Sequence, residues 1–179
     1  MISYTFTIES TGGNGIVVPG WGFLLNNELT DFNYGDPSHP NATNGRKRPR
    51  SSMAPTIVTR GERPVLALGS PGGSTIITTV LQILIERFDL GKSLPQAIAA
   101  PRGSQRNGVL TMAEPEFTAS PEGQVLGQIY GHEFISPSGP PFEIGAATAI
   151  EFLKRSRLLA AAEPVRRGGG SAMVVGRRR

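Results

Sequence analysis

Six residues, Gly69-Ser70-Pro71-Gly72-Gly73-Ser74, constrain this chain more than any others, because they join a predicted strand to a predicted helix. The stretch before them, Arg63 to Leu68, is apolar and compact after its first residue and reads as a buried strand. After them, Ile76, Ile77, Val80, Leu81, Leu84, Ile85 and Phe88 recur at helical spacing, which predicts a helix over Ser74 to Asp89 with one buried face. A Gly-Gly pair at that junction presents bare backbone N–H groups at a helix N-terminus, a place that attracts an anion or a developing oxyanion. Taken alone, the segment reads more readily as a plain tight strand-to-helix turn, because glycine turns are common.

The 179 residues suffice for one core of ordinary size. There is no cysteine, which excludes disulfides and thiolate metal sites and leaves the compartment open. His39 and His132 lie far apart without ligand-spaced partners, so a zinc site is not expected. No apolar run approaches the roughly 20 residues that cross a bilayer. No signal peptide opens the chain, and Met1 to Glu9 reads instead as a strand entered mid-course. The net charge of +4 is concentrated in Arg46, Lys47, Arg48 and Arg50 and in Arg166, Arg167, Arg177, Arg178 and Arg179. Aromatic residues are not interleaved with these cations, which argues against nucleic-acid binding. Residues 176–179 read as a solvated basic tail.

Along the chain, Thr5 to Ile8 alternates and reads as a strand, and Gly12 to Gly15 as a turn. Ile16 to Val18 and Gly22 to Leu25 are short strand candidates around Pro19-Gly20, and Asn26 to Phe32 is a polar segment. Asn33 to Arg50 has no period and reads as a long exposed loop. Thr56 to Thr59 is a strand, turned at Gly61-Glu62 into the strand before the glycines. A second helix is expected over Leu94 to Ala100, stopped by Pro101, and a third over Glu122 to Tyr130. Val109 to Met112, Phe134-Ile135, Ala146 to Phe152 and Leu158 to Ala162 are further strands, with Arg155-Ser156 in the last turn. Gly168 to Ser171 reads as a flexible connector. This order gives a layered α/β protein without regular βαβ alternation, and a dinucleotide-binding fold is disfavoured.

Polar groupings stand beside three of these elements. Glu28 and Asp31 have the chemistry to grip an ammonium group through charge-assisted hydrogen bonds. Ser51 and Ser52 have hydroxyls for a carboxylate, and the Gly72 and Gly73 amides suit a tetrahedral oxyanion. Together they would serve an amino acid with an acyl group to transfer. Singly, the carboxylates read as a solvated loop and the serines as turn caps.

Four long segments narrow the choice. Asn14 to Gly20, Leu24 to Phe32, Arg48 to Val58 and Gly69 to Gln82 resemble, in order, the small subunit of the γ-glutamyltransferase (glutathione hydrolase) family. Ala100-Pro101-Arg102 extends the likeness, and Arg166 to Ala172 resembles the family's closing Arg-Gly-Gly segment. The likeness is strong over Tyr4 to Arg102 and continues in layout to about Val175.

The resemblance implies an N-terminal-nucleophile hydrolase fold, an α/β αββα sandwich, here truncated at its N-terminal edge. It implies one partial domain over residues 1–179, the small-subunit region, with residues 33–47 as a lid loop. It implies a threonine nucleophile freed by self-cleavage of a precursor. That nucleophile takes the γ-glutamyl group of glutathione or a related amide and passes it to water or to an acceptor amino acid or peptide. No cofactor is implied; the partner is the large subunit of the same precursor. Residue by residue, Gly72 and Gly73 match the oxyanion pair, and Ser51 and Ser52 the serines that contact the α-carboxylate. Glu28 and Asp31 match the positions holding the α-amino group, and Thr7 a threonine that hydrogen-bonds the nucleophile. Glu9 falls where many members have asparagine, which exchanges an amide donor for a charge.

One departure is large. The family's Thr-Thr-His start is not in these 179 residues, and neither Thr5 nor Thr7 replaces it without shifting every later motif. The expectation is a C-terminal fragment without turnover of its own, with an unpaired strand edge and poor solubility alone. Two other readings stay open: a non-catalytic module that binds glutamate or glutathione, and a related acylase or polyglutamate hydrolase.

Overall fold

A computed structural model describes residues 1–138, 143–154 and 157–175. Arg155-Ser156 and the basic tail, residues 176–179, fall outside the described residues. The chain divides into two compact units, one of Met1–Thr5 with Met53–Arg179 and one of Phe6–Ser52.

In the first unit, strand β1 (Thr56–Arg60) turns at Gly61-Glu62 into β2 (Arg63–Gly69). The register shifts between Val58 and Thr59, opposite Pro64, whose ring nitrogen has no hydrogen to give a ladder. After the glycine-rich loop come α1 (Ile76–Phe88) and α2 (Leu94–Ala99). Ser93 opens α2, its amide donating to Gln96 Oε1 at 3.0 Å, and the helix ends before Pro101. The pairs β3 (Gly103–Ser104) with β4 (Leu110–Ala113) and β4 with β5 (Glu133–Ile135) form a three-stranded sheet, with α3 (Pro115–Ala119) and α4 (Pro121–Gln128) between β4 and β5. Finally β6 (Thr148–Phe152) and β7 (Leu158–Ala162) complete a four-stranded antiparallel sheet in the order β1-β2-β6-β7.

The core lies between this sheet and the first two helices. Leu66 and Leu68 of β2, Ala149 of β6 and Ala161 of β7 meet Ile76, Val80 and Ile83 of α1 and Leu94, Ala97 and Ile98 of α2. Small alanines on β6 and β7 let the helices approach the sheet closely. The helix α1 differs from its predicted burial. Its buried stripe is Ile76, Val80 and Ile83, whereas Ile77 and Leu81 are each 54% exposed, and Ile85 and Phe88 are exposed too. The segment is apolar on two faces, and helical spacing alone does not say which one meets the sheet. Arg87 ties α1 to β6, donating from Nε to both carboxylate oxygens of Glu151 at 3.1 and 3.2 Å.

Buried charges occupy the other end of this core. Arg102, Glu114, Glu163 and Arg166 are 1%, 3%, 2% and 8% exposed. Arg166 gives Nε to Glu114 Oε1 at 2.7 Å, Nη2 to Glu114 Oε2 at 2.6 Å and Nη1 to Glu163 Oε1 at 3.0 Å. Arg102 gives Nη2 to Glu163 Oε2 at 3.0 Å. The segment read as a flexible connector is therefore packed: Arg166–Gly168 is a 3₁₀ turn, and the Gly170 amide donates to Glu163 O at 2.8 Å.

The second unit has no ladder among its described residues. Thr5 to Ile8, read as a strand, is not one in the structure: Ile8 O accepts from Ser10 N at 3.1 Å and from Asn27 N at 3.2 Å, bonds that do not build a ladder, and alternation makes a strand only where a neighbouring strand supplies the other half of each pair. Ile16 to Leu25 is a hairpin reduced to one bridge, Val17 with Leu24, closed by Val18 N to Phe23 O at 2.9 Å and Leu25 N to Ile16 O at 3.0 Å. The polar segment after it contains a 3₁₀ helix, Glu28–Asp31. The loop from Asn33 to Arg50 is irregular but not loose. Asn33 bridges to Ala42, which is buried, and turns are tied by His39 N to Asp36 O at 3.1 Å and Ala42 N to His39 O at 2.8 Å. No helix among the described residues is long and apolar enough to cross a membrane.

The charge cluster sets a pH dependence. Burial, the largest influence, pushes the Glu114 carboxyl up; the Arg166 hydrogen bonds, the Ile144 amide, the Arg166 charge and the Arg102 amide together outweigh it and hold the group below its ordinary value. A carboxyl depressed in the folded state contributes stability above its unfolded pKa and loses it as pH falls through the folded one. Glu114→Gln is therefore expected to cost about 3 kcal/mol near neutral pH. The gap from wild type should narrow as pH falls below roughly 4, measured by urea unfolding across pH. A gap that stays constant with pH would contradict this account.

Candidate functional site

The glycine loop is held from both sides. Gly72 has φ +143°, a conformation in which a Cβ is strained, and a Cβ there would lie 2.9 Å from Thr75 Oγ1 and 3.3 Å from Gly145 Cα. Gly145, at φ +67°, faces the loop in turn; a Cβ on it would lie 2.8 Å from Ser70 Oγ and 2.9 Å from Thr79 Oγ1. Two backbones thus approach where neither admits a side chain. Ser70 Oγ joins them, accepting from Ala146 N at 3.1 Å and donating to Pro71 O at 2.7 Å.

The peptide between Gly72 and Gly73 is oriented by its carbonyl. Gly72 O accepts from Thr75 N at 3.1 Å and from Thr75 Oγ1 at 2.9 Å. In a planar trans peptide the N–H points opposite to the C=O, so the Gly73 N–H is turned away from the helix it precedes. Gly73 is exposed, and among the described residues neither the Gly72 nor the Gly73 N–H donates to a protein acceptor. Two fixed, unspent amides at a helix start have the geometry to stabilise negative charge on a carbonyl oxygen. At the loop's rim, Arg106 donates through Nη1 to Ser74 Oγ, bringing a cation that the sequence did not single out.

The other six expected site residues, Thr7, Glu9, Glu28, Asp31, Ser51 and Ser52, belong to the second unit. Thr7 Oγ1 accepts from Glu9 N at 3.0 Å, across a bend where Glu9 has φ +68°. The Glu9 carboxylate accepts from Ser10 Oγ and from Asn27 Nδ2 at 2.7 Å. Ser10 first and Asn27 second hold its pKa below the ordinary value, so Glu9 is ionised and already partnered. Asn27 also accepts from Ser10 N at 3.0 Å and from Thr30 Oγ1, through its carbonyl, at 2.8 Å, tying the Glu9 bend to the 3₁₀ helix that carries Glu28 and Asp31.

Glu28 differs from Glu9 in one respect. Its Oε1 is buried and has no hydrogen-bond partner among the described residues. A buried carboxylate oxygen without a donor is costly, and an ammonium group is the donor that offsets the cost best. Asp31 is half-buried, and its carbonyl accepts from Asn41 Nδ2 at 2.6 Å. The chain runs from Arg50, whose amide donates to Asn41 Oδ1 at 2.9 Å, directly into Ser51 and Ser52. The sequence missed Asn27 and Asn41 because a lone asparagine in a polar loop carries no periodic signal; its partners lie at distances of up to 18 residues.

The Gamma-glutamyltranspeptidase family model matches residues 1–173. The glutathione hydrolase proenzyme of Bacillus subtilis (strain 168) is 49% identical over 102 residues, covering 57% of this chain and 17% of that protein. The chain thus spans less than a fifth of that relative's length. A solved gamma-glutamyltranspeptidase from Pseudomonas nitroreducens, complexed with L-DON, is similar with a TM-score of 0.82 at 32% identity, over 98% of this chain and 93% of that one. A cephalosporin acylase from Bacillus halodurans is similar with a TM-score of 0.75 at 28% identity, over 92% of this chain and 30% of that one.

The glycine geometry has a stability consequence. Gly72→Ala should destabilise the chain by about 2–3 kcal/mol, combining an unfavourable φ with a clash. Gly73→Ala, at φ +53° with open space around it, should cost only about 1 kcal/mol. Urea unfolding of both variants checks the order, and equal losses would contradict it.

Proposed function

The chain belongs to the gamma-glutamyltranspeptidase family and has its α/β N-terminal-nucleophile hydrolase fold, and on that premise we propose that it supplies the γ-glutamyl recognition residues and the oxyanion amides of a glutathione hydrolase. In this reading Glu28 and Asp31 take the donor's α-ammonium, and Ser51 and Ser52 its α-carboxylate. Gly72 and Gly73 take the carbonyl oxygen as it becomes an oxyanion, and Thr7 hydrogen-bonds the attacking hydroxyl. A threonine hydroxyl adds to the γ-carbonyl, the amine leaves with a proton, and the resulting ester passes its glutamyl group to water or to an acceptor amine. Residues 33–47 are the covering loop, and the partner is the large subunit of the same precursor.

The observation that carries the reading is the buried, unpartnered Oε1 of Glu28. It supports a cation-binding role for that carboxylate and distinguishes it from Glu9, whose Oε2 already accepts from both Ser10 Oγ and Asn27 Nδ2. The family's Thr-Thr-His is not among these 179 residues, so the chain by itself is proposed to bind the γ-glutamyl headgroup without turning it over. A second reading, a related acylase with different acyl chemistry, is favoured by the charge of Glu9 and by the likeness to the cephalosporin acylase.

Titration calorimetry with L-glutamate and with glutarate, which lacks the amino group, tests the reading. L-Glutamate is expected to bind the chain at least tenfold more tightly, the effect of about 1.5–3 kcal/mol for a charged hydrogen bond. Glu28→Gln should remove most of that preference. Equal binding of the two ligands by wild type would sink the proposal. Hydrolysis of a γ-glutamyl anilide by the purified chain should be undetectable; sustained release would mean that another residue attacks. On the acylase reading, glutarate binds as well as glutamate.

A further inference from the structure

The segment 33–47, expected to act as a lid, carries at its centre a side chain that does more than cover. Asn41 Nδ2 donates to Asp31 O at 2.6 Å and to Asn33 Oδ1 at 3.1 Å, while its Oδ1 accepts from Arg50 N at 2.9 Å. Its backbone is held as well: Asn41 N donates to His39 Nδ1 at 2.9 Å, and Asn41 O accepts from Asn33 N at 3.0 Å. The amide thus spans from the last residue of the 3₁₀ helix to the residue before Ser51. It grips backbone at both ends, where neither grip depends on the identity of the residue gripped.

That geometry links two chemically opposite sets of groups. One end of the bridge is Asp31, a carboxylate; the other leads by one residue into paired hydroxyls. An α-amino acid headgroup places its ammonium and carboxylate on one carbon, so a site that reads both must hold its two sets of groups at a fixed spacing. A primary amide donates from its nitrogen and accepts at its oxygen, two separate atoms that face different ways and so can bridge two backbone groups. An aspartate keeps the acceptor and loses the donor; an alanine loses both.

We propose that Asn41 is a positioning residue that sets the spacing between Asp31 and the Ser51-Ser52 pair, and thereby makes recognition of the ammonium and of the carboxylate cooperative. The inference rests on the γ-glutamyl reading above. It predicts a particular pattern of loss. A ligand that uses both sets of groups depends on their spacing, whereas a ligand that uses one set tolerates a change in it.

The test is titration calorimetry of the full chain with three ligands: L-glutamate, glutarate without the α-amino group, and 4-aminobutyrate without the α-carboxylate. Asn41→Ala is expected to weaken L-glutamate by about tenfold, while leaving each single-headed ligand within about twofold of wild type. Asn41→Asp, which preserves shape and the Arg50 contact, should show the same selective loss and stands in if the alanine variant does not fold. Gln128→Ala, which removes a bond to Gln124 on the exposed side of α4, should change none of the three affinities. Equal weakening of all three ligands in the Asn41 variants, or no weakening of L-glutamate, would overturn the positioning role while leaving the γ-glutamyl reading in place. Wild type that does not distinguish L-glutamate from glutarate would overturn that reading, and the inference with it.

Discussion

Four buried charges hold the first unit together and, through one short link, shape its glycine loop. Glu114 leaves β4 and Glu163 leaves β7; Arg102 follows α2, and Arg166 sits in the 3₁₀ turn beyond β7. The arginines also cap carbonyls at the end of α2. Arg102 Nη2 donates to Ile98 O, and Arg166 Nη2 to Ala100 O at 2.9 Å. Glu114 reaches in the other direction, its Oε1 accepting from Ile144 N at 2.8 Å. Ile144 precedes Gly145, the residue against which Gly72 packs. Moving any one of these groups would move the backbone that shapes the loop, so the cluster's geometry and the loop's geometry are one constraint.

Such a cluster is not an obvious source of stability. Each ion loses several kcal/mol of hydration on burial, and the Coulombic return covers this only when nearly every donor and acceptor is satisfied. Here two cations face two anions, and the carbonyls of Ile98, Ala100 and Ile144 take up further guanidinium hydrogens. The two arginines are not equivalent. Burial first and the neighbouring Arg166 second make Arg102 less basic than usual, against the pull of Glu163, and its Nε is buried without a partner among the described residues. Arg166 is desolvated too, though less completely, and it holds both carboxylates, which raise its pKa. An apolar replacement would fill the same volume; it would not fix five chain segments in one arrangement. Orientation of those segments is what the cluster contributes.

These origins explain what the sequence revealed. Strands β1, β2 and β7 and helices α1 and α2 are local events with periodic apolar signals, strong turns and a proline stop, and the sequence located them within a residue or two. The pair β3 and the short helix α3 are too brief to carry a period, and neither was anticipated. The role of Arg166 was hidden for another reason. In sequence it belongs to a run of basic residues beside glycines and reads as solvent-facing, and only the fold brings Glu114 to it from 52 residues away. At the candidate site the residue types were legible through family resemblance. The hydrogen bonding of Asn27 and Asn41 was not, because their partners lie far along the chain and include backbone groups.

The carboxylates of the second unit show how hydrogen-bond supply divides roles among like residues. Glu9 occupies a strained left-handed position, and Thr7, Ser10 and Asn27 spend their hydrogen-bonding groups holding it there. Its negative charge is offset locally, and its lowered pKa reports donors already in place. Glu28 has its amide fixed by Asn26 Oδ1 at 3.1 Å, yet one carboxylate oxygen is withdrawn from solvent with no donor supplied by the described residues. An exposed carboxylate in that condition would simply hydrate; a buried one favours a donor that arrives with positive charge. Glu9, with two donors on one oxygen, and Glu28, with a buried oxygen left without a donor among the described residues, are set apart by where the asparagines and serines were placed, since the two acids are chemically identical.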